Sequence, residues 1–272
     1  MKKLKKTFTL ATLLILVVIM GYSGYQLWYI YSHRAREQEL HGQLLVYRPT
    51  PPVRDASTQS VTTPLRPAIG QTAQDGTQIR STIFPPAANQ SVLYLQDSHP
   101  SVTGWVHVPN TQVDHPFVQA NDNGFYLHRD INHNHSPAGT VFMDSRNCPD
   151  FSDFHTLIYG HNMRNGSMFG SLQNFINADF FEDNAEGYIF LPNQTYVLEI
   201  FAVAVIRPDD PIIYGLNLET LQNRVDFLTH VRRVSMHYRS TGASAVYDRF
   251  VTLSTCRNDA ANSRIILVGV LR

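Results

Sequence analysis

Cysteine is nearly absent: Cys148 and Cys256 are the only two in 272 residues. So few exclude a disulfide framework and a cysteine-built zinc site. A single bridge between them stays open in an oxidising compartment, although it would silence Cys256 if that thiol reacts. Net charge is missing as well. The 22 basic residues balance the 22 acidic ones, so no overall field draws the chain to nucleic acid or an anionic surface. Internal repeats are absent, and Gly and Pro, 15 of each, are ordinary in number but unevenly placed.

What is present begins with Met1-Lys2-Lys3-Leu4-Lys5-Lys6 and an uncharged, mainly apolar run from about Phe8 to Ile30. About 20 such residues suffice for a helix to cross a bilayer. Trp28, Tyr29 and Tyr31 stand at its far end, where amphipathic rings favour the lipid–water boundary. The lysines before the span are expected to stay cytoplasmic, leaving the rest of the chain outside the cell. A cleaved signal peptide shares these features, but the run is longer than a usual signal core and no Ala-x-Ala site follows it. Residues 1–31 are therefore read as cytoplasmic lysines and anchor. Residues 32–90 follow as a polar juxtamembrane helix over Arg34 to Val46 and a Pro/Thr/Ser-rich linker from Arg48 to about Pro86. The linker has too few large apolar residues to bury a core, and its prolines keep it extended as a spacer.

From about Ser91 the texture becomes that of a folded domain, 91–272. Short β-type runs recur at Gly104–Val108, Val113–Gln119, Thr140–Met143, Thr156–Tyr159, Gly187–Leu191, Tyr196–Ile206, Arg249–Ser254 and Ile265–Leu271. Turn-formers such as Pro109-Asn110 and Pro192-Asn193 separate them, and many short strands at this spacing predict a barrel or sandwich. Two stretches have helical spacing: Met168–Phe175, and Asn217–His237 with Leu218, Leu221, Val225, Leu228 and Val231 or Arg232 expected to cover the barrel.

Three residues stand out chemically. Cys256 ends the apolar run Phe250–Thr255 just where Arg257-Asn258-Asp259 turns polar. A thiol there is either a small buried hydrophobe or a nucleophile whose pKa nearby arginines lower. His161, one of twelve histidines, follows the strand-like run Thr156–Gly160. A strand end holds a side chain better than a loop does, and imidazole can both take and give a proton near neutral pH. Arg264 opens the last apolar run. It is either an edge-strand charge that deters aggregation or a fixed fork of donors suited to an oxyanion. If the last two strands pair, Arg264 comes close to Cys256.

These motifs reach a family. Thr252-Leu253-Ser254-Thr255-Cys256, with Arg264 at the start of a terminal β-run, resembles the sortase signature. Tyr159-Gly160-His161-Asn162-Met163 followed by Ser167-Met168-Phe169-Gly170-Ser171-Leu172 is similar to the histidine region of class B sortases, as are Gly104–Pro109, Gly124–His128 and Ala138–Asp144. The resemblance covers about Ser91 to Leu271, in the family's order. It implies a mainly β fold with flanking helices, a closed and roughly eight-stranded sortase barrel, with a long helix where Asn217–His237 lies. It also implies a Gram-positive cell surface, where such enzymes anchor proteins to peptidoglycan or build pili.

The expected activity is therefore that of a cysteine transpeptidase needing no metal or cofactor. Cys256 would attack a Thr carbonyl in a C-terminal sorting signal, of Asn-Pro-x-Thr type by the resemblance. Arg264 would hold the oxyanion, and His161 would pass protons to the leaving amine and from an acceptor amine of a cell-wall precursor or pilin. Ser254 and Thr255 either contact the signal or only fit the strand. Two other readings stay open. A cell-wall cysteine peptidase would use water as acceptor, although papain-like peptidases place cysteine before histidine, the reverse of the order here. A membrane-tethered binding module would carry an incidental thiol. His128, His133, His135 and His155 are candidate metal ligands, but their polar, loop-like stretch without cysteines predicts solvated loop histidines instead. Asp144, Asp153 and Asp259 are open as partners that could orient His161.

Overall fold

The computed structural model describes the backbone of residues 2–52, 89–257 and 260–272, and the side chains of 10–52, 89–255 and 263–272. The anchor and the juxtamembrane stretch form one continuous helix, α1 (Lys2–Leu44). By length and composition it includes the one span among the described residues able to cross a membrane. At about 1.5 Å per residue it extends well beyond the roughly 30 Å that hydrocarbon needs. Its apolar residues from Leu10 to Ile30 are largely exposed on the protein itself, as a lipid-facing surface would be. The end of α1 docks on the domain: Leu40, Leu44 and Tyr47 pack against Val92, Leu95, Trp105 and Tyr126, and Arg48 pairs with Asp114 at 2.8 Å. The chain is thus already on the domain before the linker begins. The linker itself, expected as a spacer, falls almost wholly outside the described residues.

After α2 (Gln90–Ser98), which the sequence reading did not expect, come strands β1 (Val102–His107), β2 (Asp114–Val118), β3 (Phe142–Met143), β4 (His155–Tyr159), β5 (Glu186–Leu191) and β6 (Gln194–Ile206). The short helix α3 (Ala178–Asp183) precedes β5, and α4 (Leu221–Val234) follows β6. Strands β7 (Ser235–Tyr238), β8 (Phe250–Arg257) and β9 (Ala260–Leu271) complete the chain. The sheet order is β5-β1-β2-β3-β4-β8-β9-β6-β7, and β5 also pairs with β6. That pairing closes a ring of eight strands, with β7 added outside along β6. This is the expected barrel.

Alternation of side chains across the strands divides the core. On β9, Ile265 and Leu267 point into the barrel with Val251, Leu253 and Ile158. Ile266, Val268 and Val270 point outward and are sealed by Phe227 and Val231 of α4. That is why both β8 and β9 read as continuous apolar runs rather than alternating ones. At roughly 25 cal/mol per Å² of apolar area buried, these layers are the main stabilising term.

Two helical expectations need correction. The stretch to His237 is not all helix: it ends at Val234, and Ser235–Tyr238 pairs with β6 as β7. Leu218 and Val231 are buried against the barrel as expected, with Leu228 packed beside them and Phe227 added, whereas Leu221 and Val225 are exposed. Leu221 is the first residue of the helix, after the Thr220 cap, so the phase counted from Leu218 does not apply. Likewise Met168 stands before the next helix with φ 54°, and Gly170–Ile176 is a 3-10 helix carrying Leu172 and Phe175 into the core.

Candidate active site

The end of β4 meets the β8–β9 hairpin at one rim of the barrel, and Arg264, expected to open the last strand, is the fifth residue of β9 because the pairing with β8 extends back to Ala260. β4 and β8 run parallel with Tyr159 opposite Ser254, and Gly160 N continues the pairing by donating to Ser254 O at 3.2 Å. His161 and Cys256 each lie two residues past that matched pair. β8 and β9 run antiparallel with Cys256 opposite Arg264. The backbone register therefore brings the Cys256, His161 and Arg264 positions to one place. The Cys256 side chain is outside the described residues. A cavity of about 310 Å³ opens there, lined by His161, Arg264, Ser254, Thr255, Tyr159 and Tyr214 among others.

The ring of His161 is held by a main-chain acceptor. Its Nε2 lies 2.7 Å from the carbonyl oxygen of Leu127, in the 3-10 turn Phe125–His128. A carbonyl only accepts, so Nε2 carries the proton and Nδ1 is the nitrogen left for exchange. His128 stacks on the ring with centroids 5.7 Å apart. Burial holds the His161 pKa below the ordinary histidine value; the Leu127 bond opposes this, the nearby His128 adds to it, and Glu37 opposes it. The imidazole is thereby biased towards its neutral form at pH 7.

Ser254 and Thr255 are almost fully buried. Ser254 Oγ meets Tyr214 Oη at 2.9 Å, whereas the Thr255 hydroxyl is buried without a protein partner among the described residues. Tyr159 Oη donates to the fully buried Asp144 at 2.9 Å. Asp144 also accepts from Asn123 Nδ2 and, in a two-pronged contact, from Arg146. Arg146 in turn donates to Tyr214 O at 3.0 Å. One polar network therefore fixes both aromatic walls of the cavity. Asp144 is consumed by it, and Asp153 accepts from Asn147 and Cys148 N, so neither is the partner that orients His161. Asp259 is outside the described residues. The sequence offered no sign of Leu127, whose contribution is a carbonyl, nor of Tyr214, which approaches from the β6–α4 connection.

The remaining candidates lie elsewhere. Cys148 is an exposed free thiol. His155 is not a solvated loop residue as expected: it sits in β4, fully buried, with Nε2 2.8 Å from Thr252 Oγ1. His133 bonds to Tyr126 Oη. Among the described residues no cluster of His, Cys, Asp or Glu could hold a metal ion.

Comparison with known proteins gives the family. The sortase domain family model matches residues 106–272. Sortase B of Listeria monocytogenes is 34% identical over 179 residues, 65% of this chain and 72% of the relative. Sortase B of Staphylococcus aureus is 28% identical over 184 residues, 64% of this chain and 72% of the relative. Among solved structures, Clostridium perfringens sortase B superposes with a TM-score of 0.63 at 31% identity, covering 66% of this chain and 98% of that one. A Streptococcus pyogenes class B sortase involved in pilus biogenesis gives 0.61 at 31% identity, covering 66% and 96%. The chain belongs to the sortase family, in its class B branch. It is a cysteine transpeptidase of the cell surface.

Proposed function

We propose that Cys256 is the nucleophile, His161 the proton-transfer group and Arg264 the oxyanion stabiliser of a peptide-to-amine acyl transfer. His161 takes the proton of the Cys256 thiol on Nδ1, the thiolate attacks a Thr carbonyl carbon of a C-terminal sorting signal, and the oxyanion is met by the Arg264 guanidinium. As the C–N bond breaks, His161 gives its proton through Nδ1 to the departing amine, leaving a thioester on Cys256. An acceptor amine then attacks the thioester, His161 takes its proton, and the thiolate departs. The observation that carries this reading is the register: β8 beside β9 sets the Cys256 position opposite Arg264, and β4 beside β8 brings the His161 position, just past the end of β4, to the same place.

The donor is a sorting-signal peptide of Asn-Pro-x-Thr type, and the acceptor an amine of a peptidoglycan precursor or a pilin lysine. A structure of Staphylococcus aureus sortase B, 25% identical to this chain, in complex with its substrate supports a bound donor substrate. The buried Thr255 hydroxyl, lacking a protein partner among the described residues, is suited to a peptide polar group at the cavity, and Ser254 supports it through Tyr214. α1 spans the membrane with the lysines of residues 2–6 in the cytoplasm and the barrel outside. Residues 91–272 form the catalytic unit, and 32–90 join it to the anchor.

The test is mass spectrometry of the full chain with a sorting peptide, with and without added amine. Wild type should carry a thioester adduct on Cys256 and release the amine-linked product. Cys256→Ala should carry none. Wild-type rates for Arg264→Ala or His161→Ala would remove that residue from the mechanism, and cleavage unchanged by any amine would favour hydrolysis.

A further inference from the structure

Glu37 stands on α1 about two turns beyond the apolar run, or roughly 10 Å at 1.5 Å per residue. It belongs to a stripe of partly buried positions, His33, Glu37, Leu40, His41 and Leu44, at helical spacing along the face turned to the barrel. Its Oε1 accepts from Ser136 Oγ at 3.1 Å and from Ala138 N at 3.3 Å. Ser136 and Ala138 are both buried, so this carboxylate reaches into the domain rather than resting on it.

The segment it grips lies across the turn that holds His161. Ser136 N donates to His128 O at 3.0 Å, and Thr140 N donates to Tyr126 O at 3.1 Å, one on each side of Leu127. Gly139 between them has φ +59°, and a Cβ there would come within 2.6 Å of both the Leu127 and Tyr126 oxygens. The 136–140 segment therefore backs the carbonyl that accepts from His161 Nε2. A contiguous path of hydrogen bonds and close packing runs from the anchor helix to the imidazole.

We propose that Glu37 is a positioning residue: the anchor helix, by clamping the 136–140 segment, keeps the Leu127 carbonyl on His161 and so keeps Nδ1 as the exchangeable nitrogen. This rests on the reading of His161 as the proton-transfer group. The Glu37 charge acts in the same direction by opposing the fall in the His161 pKa that burial and His128 produce. The membrane anchor is then a part of the catalytic domain's working geometry, not only a tether.

The test uses the full chain in detergent micelles or nanodiscs, with kcat and KM measured separately on an Asn-Pro-x-Thr peptide and melting followed in parallel. Glu37→Ala should lower kcat roughly tenfold with KM within about twofold, the scale of a misplaced catalytic group. Glu37→Gln should recover most of the loss, because its amide oxygen can accept from the same Ser136 and Ala138 donors. Ser136→Ala, which removes one of the two contacts, should fall between, and it serves if Glu37→Ala does not fold. The tautomer of His161, read from its ring nitrogen and carbon shifts, should be Nε2–H in wild type and mixed in Glu37→Ala. An unchanged kcat and tautomer in Glu37→Ala and Ser136→Ala, alongside an inactive His161→Ala, overturns the proposal alone. Full activity of His161→Ala overturns the catalytic reading, and this inference with it.

Discussion

The network beneath the cavity makes Asp144→Ala the sharpest perturbation of the fold near the site. The carboxylate is fully buried and accepts from Asn123 Nδ2 at 3.0 Å, Arg146 N at 3.0 Å, Arg146 Nε and Nη2 at 2.8 Å each, and Tyr159 Oη at 2.9 Å. Removing one member of a buried charged pair costs about 3–5 kcal/mol, because its partners are left uncompensated. Here Arg146 has half its side chain in water and can recover hydration, which lowers the expected loss to about 2–4 kcal/mol. Tyr159 and Asn123 cannot recover it as easily. For a domain of this size that loss is a fall in melting temperature of roughly 5–15 °C. Urea unfolding followed by the fluorescence of buried Trp105 should show a lower midpoint at unchanged slope. Because Tyr159 and Tyr214 then lose their common support, KM for the sorting peptide should rise several-fold. A loss under about 1 kcal/mol would refute the argument that this carboxylate is a buried charge held by its partners. Burial alone would push the Asp144 carboxyl up, but the bonds from Arg146 and Tyr159 and the Arg146 charge outweigh it and hold the pKa below the ordinary value. Its stabilisation is therefore present at neutral pH and lost as pH falls through that lowered value, a dependence Asp144→Asn should remove.

Other substitutions bear on the site and the core. Arg264→Lys should lower kcat steeply with little change in melting, since a point charge does not reproduce the guanidinium fork; comparing both quantities with wild type checks it. Gly160→Ala puts a Cβ 2.6–2.9 Å from the ring of fully buried Phe169. Overpacking of that kind should cost about 1–3 kcal/mol and displace His161, seen as a lower melting temperature together with a lower kcat. His155 and His115 are buried, and burial holds each pKa down to about 3. Both stay neutral in the folded state while the unfolded chain takes up protons below about pH 6.5. Each should therefore remove up to about 1.4 kcal/mol of stability per pH unit on acidification. His155→Phe should flatten the pH dependence of the unfolding midpoint by about one proton.

The strand runs from Gly104 to Leu271 were legible because alternation and turn residues are local, and the continuous runs on β8 and β9 marked strands buried on both faces. What was not legible depends on distant packing. Ser235–His237 fall within the stretch expected to be helical, Asn217–His237, and only pairing with β6 makes them part of a strand. Leu221 and Val225 fall off the covering stripe of α4 because Phe227, fully buried against Phe154 and Phe250, sets which face turns inward. His155 looked like its loop neighbours until β4 took it into the core.

The residue types at the site, a thiol, an imidazole and a guanidinium each at the edge of an apolar run, can be named from the chain itself, since the edges of such runs are written in local composition. The apolar run long enough to cross a membrane, and the lysines before it, are local in the same sense. Where the edges that carry the site lie relative to one another is a matter of register between segments about 95 residues apart, and register is decided by which faces the closed barrel can bury. The carbonyl that selects the His161 tautomer, and the contact of the anchor helix behind it, exist only once main-chain groups from remote segments are packed together. A backbone oxygen has no sequence signature, so only the tertiary structure could assign it a role.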